Sequence, residues 1–270
     1  MIPKIIHYCW FGRKPLPPLA VKCIESWKKY LPDYTIKEWN EDNFDINIVP
    51  YTREAYEVGK YAFVSDYARF YILYHHGGLY FDTDVEVIRP MDDLVGRGAF
   101  MGCENEAKPG ATALAVAPGL GLGCNPGLGL GCNPGLGLGC NPGLGLYAEI
   151  LELYSGLHFK CVDGGLNLKT VVEYTTDLLV NKGLRNISTE QYIGGIWIYP
   201  KEFFSPKSYH TGEINITSNT YCIHHFAGTW LPKSVKFKLK IRKILGEKFY
   251  AFSKRLKDVY KSVINYNVKP

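Results

Sequence analysis

An α/β fold, with a mostly parallel central sheet and helices packed against it, is what this 270-residue sequence predicts, and three observations carry the prediction. Segments of strand period alternate with segments of helical period through the first 90 residues. Apolar residues make up 46% and charged residues 21%, enough to bury a core, so collagen-like, fibrous and wholly disordered readings are excluded. Glycine pairs such as Gly77-Gly78 stand where a helix must stop and a strand begin.

The elements follow in order. Ile2 to Cys9 reads as an opening strand, Pro17 to Leu31 as a helix with proline in its first turn, and Tyr34 to Trp39 as a second strand. Ala62 to His76 carries the 3.6-residue period, Gly77-Gly78 supplies a C-cap, and Leu79 to Ile88 reads as a strand. Residues 119–142 are three copies of Gly-Leu-Gly-Leu-Gly-Cys-Asn-Pro, with a half-copy at Gly143 to Leu146. The unit is too short for a solenoid and each Asn-Pro-Gly is a turn signal, so 119–146 is expected to be a loop insertion within a 1–232 domain.

The net charge of +5 hides an asymmetry. Residues 233–270 hold 12 Lys and Arg against 2 Asp and Glu, and the rest of the chain 19 against 24. Phe237, Ile241, Leu245, Phe249, Phe252, Leu256, Val259 and Val263 give this tail one helical stripe. A basic amphipathic helix on anionic lipid and a helix packed on the core with solvated lysines both fit the pattern. No recognition motif accompanies the charge, so nucleic acid is not expected. No run of about 18 apolar residues spans a bilayer, and Met1 to Gly12 lacks the pattern of a secretion signal. The expected location is the cytoplasm, peripheral to the inner membrane face. Reduced thiols are expected there, and the eight-residue spacing of Cys124, Cys132 and Cys140 is unlike a zinc site.

The chemistry concentrates in Ser65 to Phe70 and in His75 to Asp84. Asp66 and Arg69 share a face of the predicted helix, and Asp82 and Asp84 share a face of the predicted strand. Two carboxylates aimed alike repel, and a hard divalent cation relieves that repulsion and can hold a nucleotide diphosphate. Eleven aspartates give about half an Asp-x-Asp pair by chance, so it is the setting that raises this one above background. Taken singly, Asp66 with Arg69 would be an exposed helical ion pair, and Trp10, Trp230 and His225 ordinary packed residues.

Three blocks together resemble glycosyltransferase family 32, the DxD-containing group that includes capsular-polysaccharide and O-antigen transferases. They are Ile2 to Gly12, Ser65 to Pro90, and His224 to Trp230, in that family's order. The middle block also resembles the catalytic domain of large clostridial glucosylating toxins. The resemblance implies a GT-A type fold, transfer of a hexose from a nucleotide sugar (a UDP-hexose by preference) to a surface polysaccharide or lipid-linked glycan, retention of configuration, and Mn²⁺ or Mg²⁺. It places Trp10 on the nucleotide base, Asp66 and Arg69 on the donor sugar, Tyr80 at the nucleotide, and Asp82 and Asp84 as the DxD carboxylates. His225 would complete the metal site ahead of His224, and Trp230 would donate its indole N–H to the diphosphate. No nucleophile or base is assigned; Glu104, Glu106 and Asp163 are candidates only. A metal-dependent phosphoesterase or nucleotide-sugar hydrolase, and a non-catalytic sugar-nucleotide-binding protein, remain as alternatives.

Overall fold

The computed structural model describes residues 1–104, 132–209, 211–228 and Phe237, with side chains of 132–136 excepted. Glu106, Trp230, the first repeat copy, the first five residues of the second and the basic tail apart from exposed Phe237 lie outside the described residues. The chain divides into two compact units. One is Met1–Pro206 with Asn215–Ala227; the other is Lys207–Ile214 with Gly228–Pro270. In the second, Lys207 bridges Ile214 across a turn closed by Ser208 N–H donating to the Glu213 carbonyl at 2.7 Å.

The first unit holds a seven-stranded sheet in the order β2-β1-β3-β6-β5-β8-β7. The strands are β1 Ile5–Cys9, β2 Thr35–Trp39, β3 Gly78–Tyr80, β5 Phe100–Cys103, β6 Cys132–Cys140, β7 Gln191–Ile193 and β8 Ile196–Tyr199. β1, β2, β3, β5 and β8 run one way and β6 and β7 the other, so the mostly parallel α/β architecture is as expected. A separate two-stranded ribbon pairs β4 Val85–Val87 with β9 Cys222–His224.

Helices cover the sheet because they present apolar faces to it. α1 (Pro18–Tyr30) starts on proline, which needs no N–H there, and buries Ala20, Cys23, Ile24 and Trp27. Its last turn carries Lys28 and Lys29, which suit the negative end of the helix dipole. α2 (Pro50–Glu57), unforeseen in the sequence, precedes α3 (Tyr61–His76). α3 stops at Gly77, whose N–H bonds the Leu73 carbonyl at 2.9 Å. Gly77 and Gly78 have φ of 64° and 91°, and a Cβ on them would meet Pro142 Cδ at 2.7 Å and the Ile5 carbonyl at 2.6 Å. Only glycine fits both positions. α4 (Asp92–Gly96), α5 (Gly145–Ser155), α6 (Val171–Asn181) and α7 (Lys201–Phe204) complete the order.

Alternate residues of each strand feed two apolar layers. Ile6, Leu79 and Phe100 join Trp27, Phe81 and Phe204 in one, and Tyr80, Met101 and Leu138 join Phe70, Tyr147 and Tyr154 in the other.

The repeat departs from expectation. Its later part is no loop: the last three residues of the second copy and the first six of the third form β6, which lies between β3 and β5 at the centre of the sheet. Glycine alternating with leucine and cysteine has the strand period, and the packing uses it. Leu138 and Cys140 are buried on one face, while Gly139 on the other leaves room for Phe100 and Leu79. The proline that argued against a strand falls where the register jumps from Leu138 to Asn133, so Pro134 is unmatched on β5. The half-copy likewise ends inside α5.

Candidate functional site

The sheet leaves its candidate site at the carboxyl edge of β1 and β3, where ligands bind in folds of this kind. β3 ends at Tyr80, and the chain then turns, with Val85 N–H donating to the Asp82 carbonyl at 3.0 Å, before β4 begins. The expected strand 79–88 is thus two strands with Asp82-Thr83-Asp84 between them. The two carboxylates do not share a strand face. Asp82 joins groups on α3, and Asp84 joins groups on β9.

On the α3 side, the three-residue spacing puts Asp66 and Arg69 on one helical face, as expected, but both are buried rather than exposed. Arg69 Nη2 donates to Asp66 Oδ1 at 3.0 Å and lies 3.3 Å from Asp82 Oδ1, and its Nε donates to the Ser65 carbonyl at 3.1 Å. The guanidinium also sits over the Tyr80 ring, 5.1 Å from its centroid, and the Tyr80 hydroxyl donates to Asp82 Oδ1 at 3.2 Å. One cation therefore ties two carboxylates and an aromatic into a single wall. The backbone N–H of Val171, the first residue of α6, also favours the charged form of Asp66. That terminus is fixed by a capping box between Thr170 and Glu173. Burial raises the Asp66 carboxyl to about 7 even though Arg69 opposes the shift, and the charge on Asp82 adds to it.

The β9 side has the opposite balance. Asp84 Oδ2 accepts the Ala227 backbone N–H at 2.8 Å, and His224 Nε2 lies 3.3 Å from Asp84 Oδ1. Burial alone would raise Asp84, but the facing His224 and the Ala227 N–H overcome it and hold the carboxyl at about 2. In turn His224 titrates above its ordinary range: burial works against its charge, and Asp84 outweighs burial, with Glu104 and Asp82 contributing. Its Nδ1 is buried without a partner. The segment after β9 is tightly turned, with Phe226 at φ 54°, uncommon for an aromatic residue.

The expected order of the two histidines is reversed. His225, expected at the metal, directs Nε2 to Glu86 Oε2 at 2.7 Å, and Glu86 also pairs with Lys22 at 2.8 Å. His224 occupies the place beside Asp84. The reason is register: His225 N–H bonds the Asp84 carbonyl at 2.9 Å in line with the β4–β9 ladder, and alternation then turns adjacent side chains apart. The adjacent pair His224-His225 was visible in the sequence; its register was not.

The remaining residues are placed as follows. Trp10 lies one residue beyond β1, half-buried, with its indole N–H donating to the Lys14 carbonyl at 2.6 Å. Glu104 follows β5 and its charge reaches His224. Asp163 is exposed and accepts the Gly165 N–H of its own turn. Two groups had no signal in the sequence: the hydroxyls of Tyr51 and Tyr154, buried without partners and within reach of the Asp66 charge. Among the described residues no group of three or more His, Cys, Asp and Glu is arranged to hold a metal ion. The expected trio of Asp82, Asp84 and His225 is therefore not assembled. The two aspartates carry hard oxygen donors of the kind that could hold a divalent cation alongside phosphates.

Residues 17–101 match the family model described as a glycosyltransferase sugar-binding region containing a DXD motif. Inositol phosphoceramide mannosyltransferase 1 of Schizosaccharomyces pombe is 27% identical over 37% of this chain and 33% of its own length. An uncharacterised glycosyltransferase of Acanthamoeba polyphaga mimivirus is 36% identical over 37% of this chain and 42% of its own. The chain thus spans less than half the length of these curated relatives. Among solved structures, the PaToxG glycosyltransferase superposes with a TM-score of 0.46 at 17% identity, over 67% of this chain and 70% of that one.

Proposed function

We propose, from the premise that residues 17–101 are a DXD-type glycosyltransferase sugar-binding region, that the protein transfers a hexose from a nucleotide sugar to a glycan acceptor. The observation that carries this reading is the meeting of the Asp66–Arg69 pair with Asp82, the first carboxylate of the Asp-x-Asp stretch, at the carboxyl edge of the parallel strands. A divalent cation, Mn²⁺ or Mg²⁺, held by Asp82 and Asp84 would neutralise charge that develops on the departing diphosphate. The chain's own residues supply the rest. Asp84 stays ionised at any physiological pH, because its carboxyl is held at about 2. Arg69 fixes the positions of Asp66 and Asp82 together. Asp66 can accept sugar hydroxyls when ionised and donate to one when protonated, and with a carboxyl at about 7 it changes role near neutral pH. In this reading Trp10, next to β1, would stack on the base, and Trp230 would donate its indole N–H to the diphosphate.

Two of the similar proteins are named as mannosyltransferases of inositol-containing ceramides, which supports mannose beside the UDP-hexoses as the sugar. The acceptor is proposed to be a surface polysaccharide or a lipid-linked glycan, as in capsule and lipopolysaccharide synthesis, transferred with retention. The basic stretch 233–270 supports work at the inner face of an anionic membrane, since each Lys or Arg near such a surface contributes about 1 kcal/mol.

The test is calorimetry with UDP, GDP and their hexose conjugates, including GDP-mannose, in Mn²⁺ and then in chelator, on the intact protein and Asp84→Ala. Metal-dependent binding of one nucleotide, lost in the variant, is expected and names the donor. Binding of none would sink the proposal.

A further inference from the structure

We propose that the octapeptide repeat is a strand with a spare: β6 takes Cys132, Asn133 and Pro134 from the end of the second copy and 135–140 from the third, and residues 124–132 can replace it by an eight-residue slip that changes no paired residue type. This stands apart from the reading of the active site. It rests on three features of β6.

The first is that the ladder pairs fall on repeat positions. β3 pairs with Leu138, Gly139 and Cys140, and β5 pairs with Leu138 and Gly139 and then, past the irregularity, with Asn133 and Cys132. Moving the chain by one unit substitutes Leu130, Gly131, Cys132, Asn125 and Cys124 at the same points. Each is the same residue type. A shift of eight is even, so every side chain keeps its face of the sheet.

The second is that packing makes the repeat pattern obligatory. A Cβ at Gly139 would stand 2.4 Å from Phe100 Cε1 and 2.9 Å from Leu79 Cδ2. A slip in the other direction would put Tyr147 there and is barred. A slip of two units would keep Leu122, Gly123 and Cys124 on β3 but set Ala117 and Val116 against Gly102 and Cys103. The degeneracy therefore runs one way, and one unit is its best step.

The third is the exit from the strand. Pro142 lies against Gly77, Gly143 N–H donates to the Tyr74 carbonyl at 2.7 Å, and α5 begins at Gly145. After a slip Pro134 and Gly135 can make the same two contacts. The connection into α5 then grows from 141–144 to 133–144, while the connection out of β5 shrinks from 104–131 to 104–123. Loop closure alone favours the observed register by about threefold. The immediate start of α5 favours it further, which is why 132–140 is the strand.

The test uses the full-length protein with Gly139→Val, the triple variant Gly123→Val/Gly131→Val/Gly139→Val, and Gly123→Val/Gly131→Val as control. The control is expected to unfold as the parent does. Gly139→Val is expected to keep a cooperative transition with Tm lowered by a few degrees, because 124–132 enters the sheet. Cys140, buried in the parent, should then react with maleimide at least tenfold faster in the folded variant. The triple variant, with no intact copy left, should lose the cooperative transition. The proposal is overturned if Gly139→Val behaves as the triple variant does, if it folds with Cys140 still protected, or if the control is itself destabilised.

Discussion

Asp66 is buried and Asp84 is nearly so, with 15% of its side chain exposed, and the two sit in opposite protonation regimes. On α3, Asp66 faces a guanidinium already shared with Asp82, so burial wins and the carboxyl rises to about 7. On the β4 side, Asp84 has His224 at 3.3 Å and a backbone N–H at 2.8 Å, so burial loses and the carboxyl falls to about 2. The difference teaches that burial alone does not set the charge of a carboxyl. What decides it is whether facing charge and hydrogen-bond donors to the carboxylate together outweigh burial.

Removing the shared cation breaks the comparison most severely. Arg69→Ala leaves Asp66 and Asp82 close together with no counter-charge in a buried wall. Loss of one partner from a buried ionic cluster costs about 3–5 kcal/mol, and the variant should lose that much in urea or guanidinium unfolding along with all measurable donor binding. Arg69→Lys should recover part of the stability but little of the binding, because an ammonium cannot hold two carboxylates in a fixed fork. A loss under 1 kcal/mol for Arg69→Ala would show that the two acids are not charged partners.

The two aspartates should also give pH slopes of opposite sign, and this sharpens the contrast. An acid raised from 3.8 to about 7 keeps its proton in the folded chain while the unfolded chain has lost it. Stability should therefore fall as pH rises from about 4 to about 7, at up to about 1.4 kcal/mol per pH unit. For Asp84, lowered to about 2, stability is complete above about 4 and is lost as pH falls toward 2. Denaturation in chelator at pH 5, 6, 7 and 8 should show the falling limb in the parent and its absence in Asp66→Asn. Parallel profiles for the two proteins would mean that Asp66 is already ionised at pH 5.

Local chemistry made most of the scaffold legible. Proline at the start of α1, the apolar period of α3 and the glycine pair after it act within a few residues, so they could be read in place. What could not be read depended on distant partners. The Asp-x-Asp stretch looked like continuous strand because nothing in 79–88 announces the turn at Asp82 to Asp84. The repeat looked like a loop because Gly and Pro are turn residues in isolation, and only Phe100 and Leu79 on the neighbouring strands explain why glycine is needed at 139. The charge state of Asp66 depended first on its burial, which helical spacing alone does not disclose.

The choice between His224 and His225 is the finest version of the same lesson, and the smallest effect expected. Both histidines face carboxylates, but His224 neutralises the nearly buried Asp84, whereas His225 shares Glu86 with the exposed Lys22. His224→Ala strips Asp84 of its cationic neighbour in a nearly buried setting and should cost about 1.5–3 kcal/mol, the worth of a hydrogen bond to a charged group. If Asp84 holds the cation as proposed, the loss of His224 beside it should also weaken Mn²⁺-dependent nucleotide binding by about 10- to 100-fold. His225→Ala leaves Glu86 with Lys22 and should cost about 1 kcal/mol or less, with nucleotide binding within about threefold of the parent. Calorimetry on both variants at fixed Mn²⁺ decides the matter. If His225→Ala loses the greater affinity, then the segment after β9 must re-register on binding, carrying His225 to the place where the free protein holds His224.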